Sequence, residues 1–103
     1  MSLTSKEKKR LRATGHALKT SVTIAQRGLT ENVGQEINRA LEAHELIKIK
    51  LQLPDREIRK GLLRKICSAH GAESVQNIGH TALIYRAAKR PDPRLSNLMR
   101  RMS

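Results

Sequence analysis

The side chains able to ligate a metal or attack an electrophile are few, and their spacing suits neither task. His16, His44, His70 and His80 stand far apart, none at ligand spacing with the single cysteine, Cys67, and no CxxC or HExxH pattern occurs. His44 reads as a helix-end residue continuing an apolar stripe, and His80 as a turn residue at an edge. Asp55 and Glu57 fall in the first turn of a helix, where carboxylates offset the helix dipole rather than move protons. No nucleophile, base and orienting group can be assembled from these pieces. A chain without catalysis, metal or cofactor is the expectation.

What remains is cationic chemistry, and its placement is uneven. Residues 1 to 28 hold seven Lys/Arg against one acid, residues 29 to 85 eight against seven, and residues 86 to 103 six against one, which sums to the net +12 of the chain. The near-neutral middle can fold around a core, while the flanks repel each other unless a polyanion lies against them. Nucleic acid fits that requirement. With Tyr85 as the one aromatic residue, the chain lacks the stacking platform on which RRM domains splay out bases, so phosphate and shape contacts are expected to dominate.

Length and composition agree with this. A chain of 103 residues with 38% hydrophobic content supports one core. Its apolar runs are far too short to span a bilayer. One cysteine makes no internal disulfide, which favours a reducing compartment such as the cytoplasm. The Arg/Lys-rich start superficially resembles an organelle transit peptide, but it reads well as a folded helix.

The elements that must position the cations follow from periodicity. Thr4 and Glu7 form a capping-box pattern, after which Leu11, Thr14 and Leu18 line one narrow stripe while Lys6, Lys9, Arg10 and Arg12 spread over the remaining surface. Val22 and Ile24 alternate with Ser21 and Thr23 as a short strand, broken by residues 25–28. Thr30 is the N-cap of a second helix, with Val33, Ile37, Ala40, Leu41 and His44 on one face. Leu46 to Leu53 alternates as a strand whose Lys48 and Lys50 share an exposed face. Pro54 and Asp55 open a third helix with Ile58, Leu62, Ile66 and Ala69 turned inward, closed by Gly71. Ser74 to Ile78 and Thr81 to Arg86 read as strands joined by a tight Gly79-His80 turn. The order α-β-α-β-α-β-β predicts an α/β fold with a mixed four-stranded sheet packed against helices. The first two strands are parallel and the last pair antiparallel; strand order is not given.

Residues 1–87 therefore form the domain, and 88–103 a basic C-terminal tail. Lys89-Arg90-Pro91-Asp92-Pro93 reads as a linker. Beyond it, Leu95, Leu98, Met99 and Met102 have helical spacing among Arg94, Arg100 and Arg101. Two readings stay open: a frayed tail, or a short amphipathic helix that orders on RNA, on a protein or on its own domain.

Three separated segments carry a family resemblance: Gln26-Arg27-Gly28-Leu29-Thr30-Glu31, His44-Glu45-Leu46-Ile47-Lys48-Ile49-Lys50, and Ile78-Gly79-His80-Thr81 running into Leu83-Ile84-Tyr85-Arg86. In this order, over roughly residues 3 to 87, the chain resembles the bacterial single-domain CRM (YhbY-type) RNA-binding proteins. The resemblance implies a fold like the C-terminal domain of translation initiation factor three. It also implies association with large-subunit ribosomal RNA precursors and a G-x-x-G binding loop. Plant relatives that assist group II intron splicing again imply structured RNA as ligand.

That loop falls on Ala25-Gln26-Arg27-Gly28, with Ala25 in place of the first glycine. If φ must be positive there, alanine costs roughly 1 kcal/mol; otherwise the position has ordinary φ. Gly28 precedes a helix whose free N–H groups and positive dipole end suit a phosphate oxygen, and Arg27 can add a bidentate contact. The expected RNA-binding surface joins Ala25, Gln26, Arg27, Gly28 and Thr30 with Lys6, Lys9, Arg10, Arg12, Lys48 and Lys50. The bland alternative is a set of separately solvated lysines. The expected function is non-enzymatic association with large-subunit rRNA during ribosome assembly. Its rivals are a general DNA-binding protein and a protein-interaction module acting through the tail.

Overall fold

Alternation along the strands decides how the chain layers. In the computed structural model, which describes residues 3–97, the elements are α1 (Ser5–Gly15), β1 (Thr20–Ile24), α2 (Glu31–His44), β2 (Leu46–Leu51), α3 (Arg56–His70), β3 (Glu73–Ile78) and β4 (Thr81–Tyr85). They form the mixed four-stranded sheet expected from the sequence, in the order β1-β2-β4-β3. β1 runs parallel to β2, while β4 is antiparallel to both β2 and β3. β4 takes an interior place because Ala82, Leu83 and Ile84 are all buried, a run that only a strand covered on both faces sustains.

One face presents Val22, Ile24, Ile47, Ile49, Leu51, Ala82 and Ile84 to Ile37 and Leu41 of α2 and Leu63 and Ile66 of α3. The opposite face presents Leu46, Val75 and Leu83 to Leu11 of α1, with Leu3, Leu18 and Tyr85 packed alongside. The sheet is therefore sandwiched, but unequally. Among the described residues one helix of 11 residues covers the second face, so Lys48 and Lys50 share it with the buried Leu46 rather than lying on a wholly exposed side. Lys48 is half-buried and Lys50 exposed.

The caps expected at Thr4 and Thr30 form, and Asp55, read from the sequence as a first-turn residue, is the N-cap of α3. Thr4 and Glu7 exchange hydrogen bonds at the start of α1, Thr30 Oγ1 accepts from the Val33 N–H, and Asp55 accepts from the Glu57 and Ile58 N–H groups. Gly71 closes α3 in the left-handed region. Two stripes differ from the sequence reading. α1 ends at Gly15, so Leu18 packs from the following loop, and its seam is Leu11, Thr14 and Gly15. A Cβ on Gly15 would collide with the Leu83 side chain, 2.7 Å from Cδ2; glycine is what lets α1 sit so close to the sheet.

α3 is rotated from the expected face. Arg59, Leu63 and Ile66 are buried, while Ile58 is 57% exposed and Ala69 exposed. The cause lies in the loop between β2 and α3. β2 ends at Leu51, two residues before the expected Leu53, and the carbonyls of Leu53 and Pro54 need donors. The Arg59 guanidinium supplies both bonds, at 2.6 and 3.0 Å, from a largely buried position. Satisfying buried carbonyls outweighs placing one more aliphatic side chain inward.

The chain after β4 returns over the C-terminal end of α2. Glu45, at the C-cap with φ 63, is buried; its carboxylate accepts from Ser96 Oγ at 2.7 Å and the Ala88 N–H at 2.9 Å. Asn97 donates to the carbonyls of His44 and Leu46, and His44 Nδ1 lies 2.8 Å from the Leu95 carbonyl. His44 is thus a helix-end residue, as read from the sequence. Residues Asp92 to Asn97 form turns, with Leu95 exposed. The tail helix anticipated from Leu95 onward falls mainly on Leu98, Met99 and Met102, which lie outside the described residues.

Candidate nucleic-acid interface

Parallel pairing of β1 with β2 sends both strands toward the same end of the sheet. There Ile24 pairs with Leu51 and Thr23 with Lys50, and the Gln52 N–H donates to the Ile24 carbonyl at 2.8 Å. The β3–β4 turn reaches this end too, since the Leu51 N–H donates to His80 and Lys50 pairs with Thr81. Lys50 and two glycine-bearing turns, Ala25–Gly28 and Gly79-His80, are thereby gathered at one end.

The Ala25–Gly28 segment is a tight turn closed by the Gly28 N–H donating to the Ala25 carbonyl at 2.9 Å. Ala25, Gln26 and Arg27 are exposed. Gly28 has φ +71 and nothing within 4 Å of a Cβ added there, so glycine is required by its backbone, not by crowding. Ala25 is not among the residues of positive φ. Its replacement of the first loop glycine therefore carries no backbone strain. Thr30 caps α2 two residues beyond, with the N–H groups before Val33 in the positions that helix geometry leaves without an intrahelical acceptor.

On the α1 side of the sheet, Arg12, Ala13, Gly15 and His16 of α1 and its end face Lys48, Gln76, Ile78, Thr81 and Leu83 across a depression of about 380 Å³. Arg12 and Lys48 come together here, and Lys50 continues the same face of β2 toward the Arg27 turn. Among the described residues no acid lines the depression. The other α1 cations are spread around the helix. Lys6, Lys9 and Arg10 are exposed, and at about 100° per residue Arg10 lies on the flank opposite Arg12. The structure thus unites Arg12, Lys48, Lys50 and the Arg27 turn along one face and end. Lys9 forms an outer rim, and Arg10, with Lys6 one turn before it on the same flank, faces away.

Several lining residues were not singled out from sequence. Gln76 and Ile78 read as ordinary strand positions, yet Ile78 is 62% exposed. The signal was present: Ile78 closes a strand at a Gly turn, beyond the reach of a helix that stops at Gly15. His80 is exposed, and its Nε2 lies 3.4 Å from the Arg59 guanidinium.

Three other titratable groups serve the scaffold. Burial, then the Glu73 carboxylate, pushes the Cys67 thiol up, which suits a near-core thiol. Burial, followed by Glu45 and Glu7, raises the Tyr85 hydroxyl, leaving the lone aromatic as a neutral, half-buried phenol. His70 is lowered by burial and by Arg86, whose guanidinium donates to the His70 carbonyl at 3.1 Å. Among the described residues no group of three or more His, Cys, Asp or Glu could hold a metal ion, and no helix is long and apolar enough to cross a membrane.

An α/β sandwich bearing a cationic sheet face and a glycine turn defines a class of small basic domain, and comparison gives the class its family. The profile of the CRS1 / YhbY (CRM) domain matches residues 3–86; the chain belongs to this family. A Pseudomonas aeruginosa protein named "Probable RNA-binding protein" is 45% identical over 100 residues, covering 97% of this chain and 96% of its own. A Haemophilus influenzae protein named "RNA-binding protein" is 39% identical over 88 residues, or 85% of this chain and 89% of its own. The solution structure of the hypothetical protein SAV1595 from Staphylococcus aureus superposes with a TM-score of 0.77 at 34% identity, covering 86% of this chain and 93% of that one.

Proposed function

We propose that the protein is a non-catalytic RNA-binding domain that grips the sugar-phosphate backbone, and that its ligand is large-subunit ribosomal RNA or its precursor, bound in the cytoplasm during ribosome assembly. The observation that carries the reading is the depression holding Arg12 and Lys48 with no acid among its described lining residues, from which Lys50 continues along β2 toward the exposed Arg27-Gly28 turn. The names of the relatives support RNA as the ligand. Gly28 allows a phosphate to approach backbone N–H groups at the start of α2, Arg27 supplies a forked donor, and the lysines act as point charges along the strand.

Phosphate contacts position a protein without reading sequence, so selectivity for ribosomal RNA would come from its shape and from residues beyond this line. Arg27→Glu with Lys9→Glu, compared with wild type against RNA and duplex DNA at two salt concentrations, tests the reading. Weakened RNA binding is expected, with wild type favouring RNA; undiminished RNA binding in the double variant removes the proposed surface. Crosslinking in cells and sequencing of bound transcripts tests the ligand: enrichment of large-subunit precursors is expected, and their absence refutes the ribosomal assignment.

A further inference from the structure

We infer that the depression between α1 and the sheet receives one unpaired nucleobase of a single-stranded RNA segment whose phosphates the neighbouring cations hold. This rests on the phosphate-binding reading above and adds a base subsite to it.

Three features converge. The depression has a volume of about 380 Å³, at the lower end of the roughly 300–1,000 Å³ of small-ligand sites. Its floor and walls are largely apolar, from Ala13, Gly15, Ala82, Leu83 and the outer face of Ile78. Its polar groups are the cations of Arg12 and Lys48, the His16 ring, the Gln76 amide and the Thr81 hydroxyl. A bare phosphate has no use for an apolar floor, and an aliphatic ligand has no use for two uncompensated cations.

A nucleotide matches both halves. Unstacked bases in RNA sites lie on aromatic rings or on guanidinium planes. Tyr85 does not line this space, so the Arg12 guanidinium and the His16 imidazole are the planar groups available, with Ile78 as an apolar wall. Gln76 carries both a donor and an acceptor to offer a base edge. Ile78 is 62% exposed, a large apolar side chain left uncovered where α1 stops at Gly15. A base seated there would cover it. Duplex RNA keeps its bases stacked inside and presents no base to such a site.

The test compares a single-stranded RNA octamer with the same octamer carrying abasic positions, for wild type and for Ile78→Ser. Because Ile78 is exposed and outside both buried clusters, the variant should fold, which its thermal melt checks. Wild type is expected to bind the base-bearing octamer tighter by about fivefold or more, the scale of one stacked base. Ile78→Ser is expected to lose most of that preference while keeping the wild-type salt slope. Equal wild-type affinity for the two octamers overturns the inference, as does an undiminished preference in Ile78→Ser. Failure to bind either octamer would instead remove the phosphate reading, and the base subsite with it.

Discussion

Gly15→Ala is the substitution whose effect the structure defines most sharply. A Cβ there would lie 2.7 Å from Leu83 Cδ2, with Leu83 Cδ1 closer still, and Leu83 is only 3% exposed, so its isobutyl group can yield only toward the depression it helps line. Overpacking of this kind costs about 1–3 kcal/mol, offset by at most about 1 kcal/mol of helix propensity. A net loss of about 1 kcal/mol is expected, which for a domain of this size lowers Tm by roughly 4–8 °C. Leu83→Val removes the colliding δ-carbons at a cost near 0.8 kcal/mol for the lost methylene. In that background Gly15→Ala is expected to be neutral or stabilising. The cycle, measured by urea denaturation, should give an interaction energy of about 1–2 kcal/mol, within the range for residues in contact. Equal effects of Gly15→Ala in both backgrounds would refute the close seating of α1, and with it the shape of the depression beside Lys48.

Three further outcomes follow from single positions. Gly28→Ala should cost about 1 kcal/mol through its positive φ alone, and Gly28→Asn less, read by chemical denaturation. Glu45→Gly should destabilise less than Glu45→Ala by about 1 kcal/mol, because both lose the carboxylate bonds to Ser96 and Ala88 but only glycine relieves the φ of 63. The lowered pKa of His70 means that the unfolded chain binds its proton more readily. Its contribution is therefore fully present above the ordinary imidazole pKa and lost as pH falls toward the folded value. His70→Gln should flatten the fall in stability between about pH 7 and 5, and an unchanged slope would contradict this.

Local chemistry made most of the fold legible. The Thr4–Glu7 and Thr30 caps and the closing Gly71 announced helix ends correctly, and Pro54-Asp55 marked the start of α3 although Asp55 is its cap rather than a first-turn residue. Alternation at Ile47, Ile49 and Leu51 gave β2 and its inward face. The strand order was hidden because it depends on burial of β4 from both sides, a tertiary fact. The face of α3 was misread because Ile58 looks apolar and Arg59 polar, while the carbonyls that Arg59 serves belong to Leu53 and Pro54. In the site, the cations and Gly28 were visible by type. Their division into a united line, a rim and an outward-facing Arg10 depends on where α1 lies against the sheet, as do the parts of Gln76 and Ile78.

The salt dependence of RNA binding tests the central claim most directly. With about five phosphates neutralised along the sheet face, the Lys9 rim and the Arg27 turn, the logarithm of the binding constant should fall against the logarithm of salt concentration with a slope of roughly −3.5 to −4.5. A slope near −1 would mean that no extended backbone contact exists.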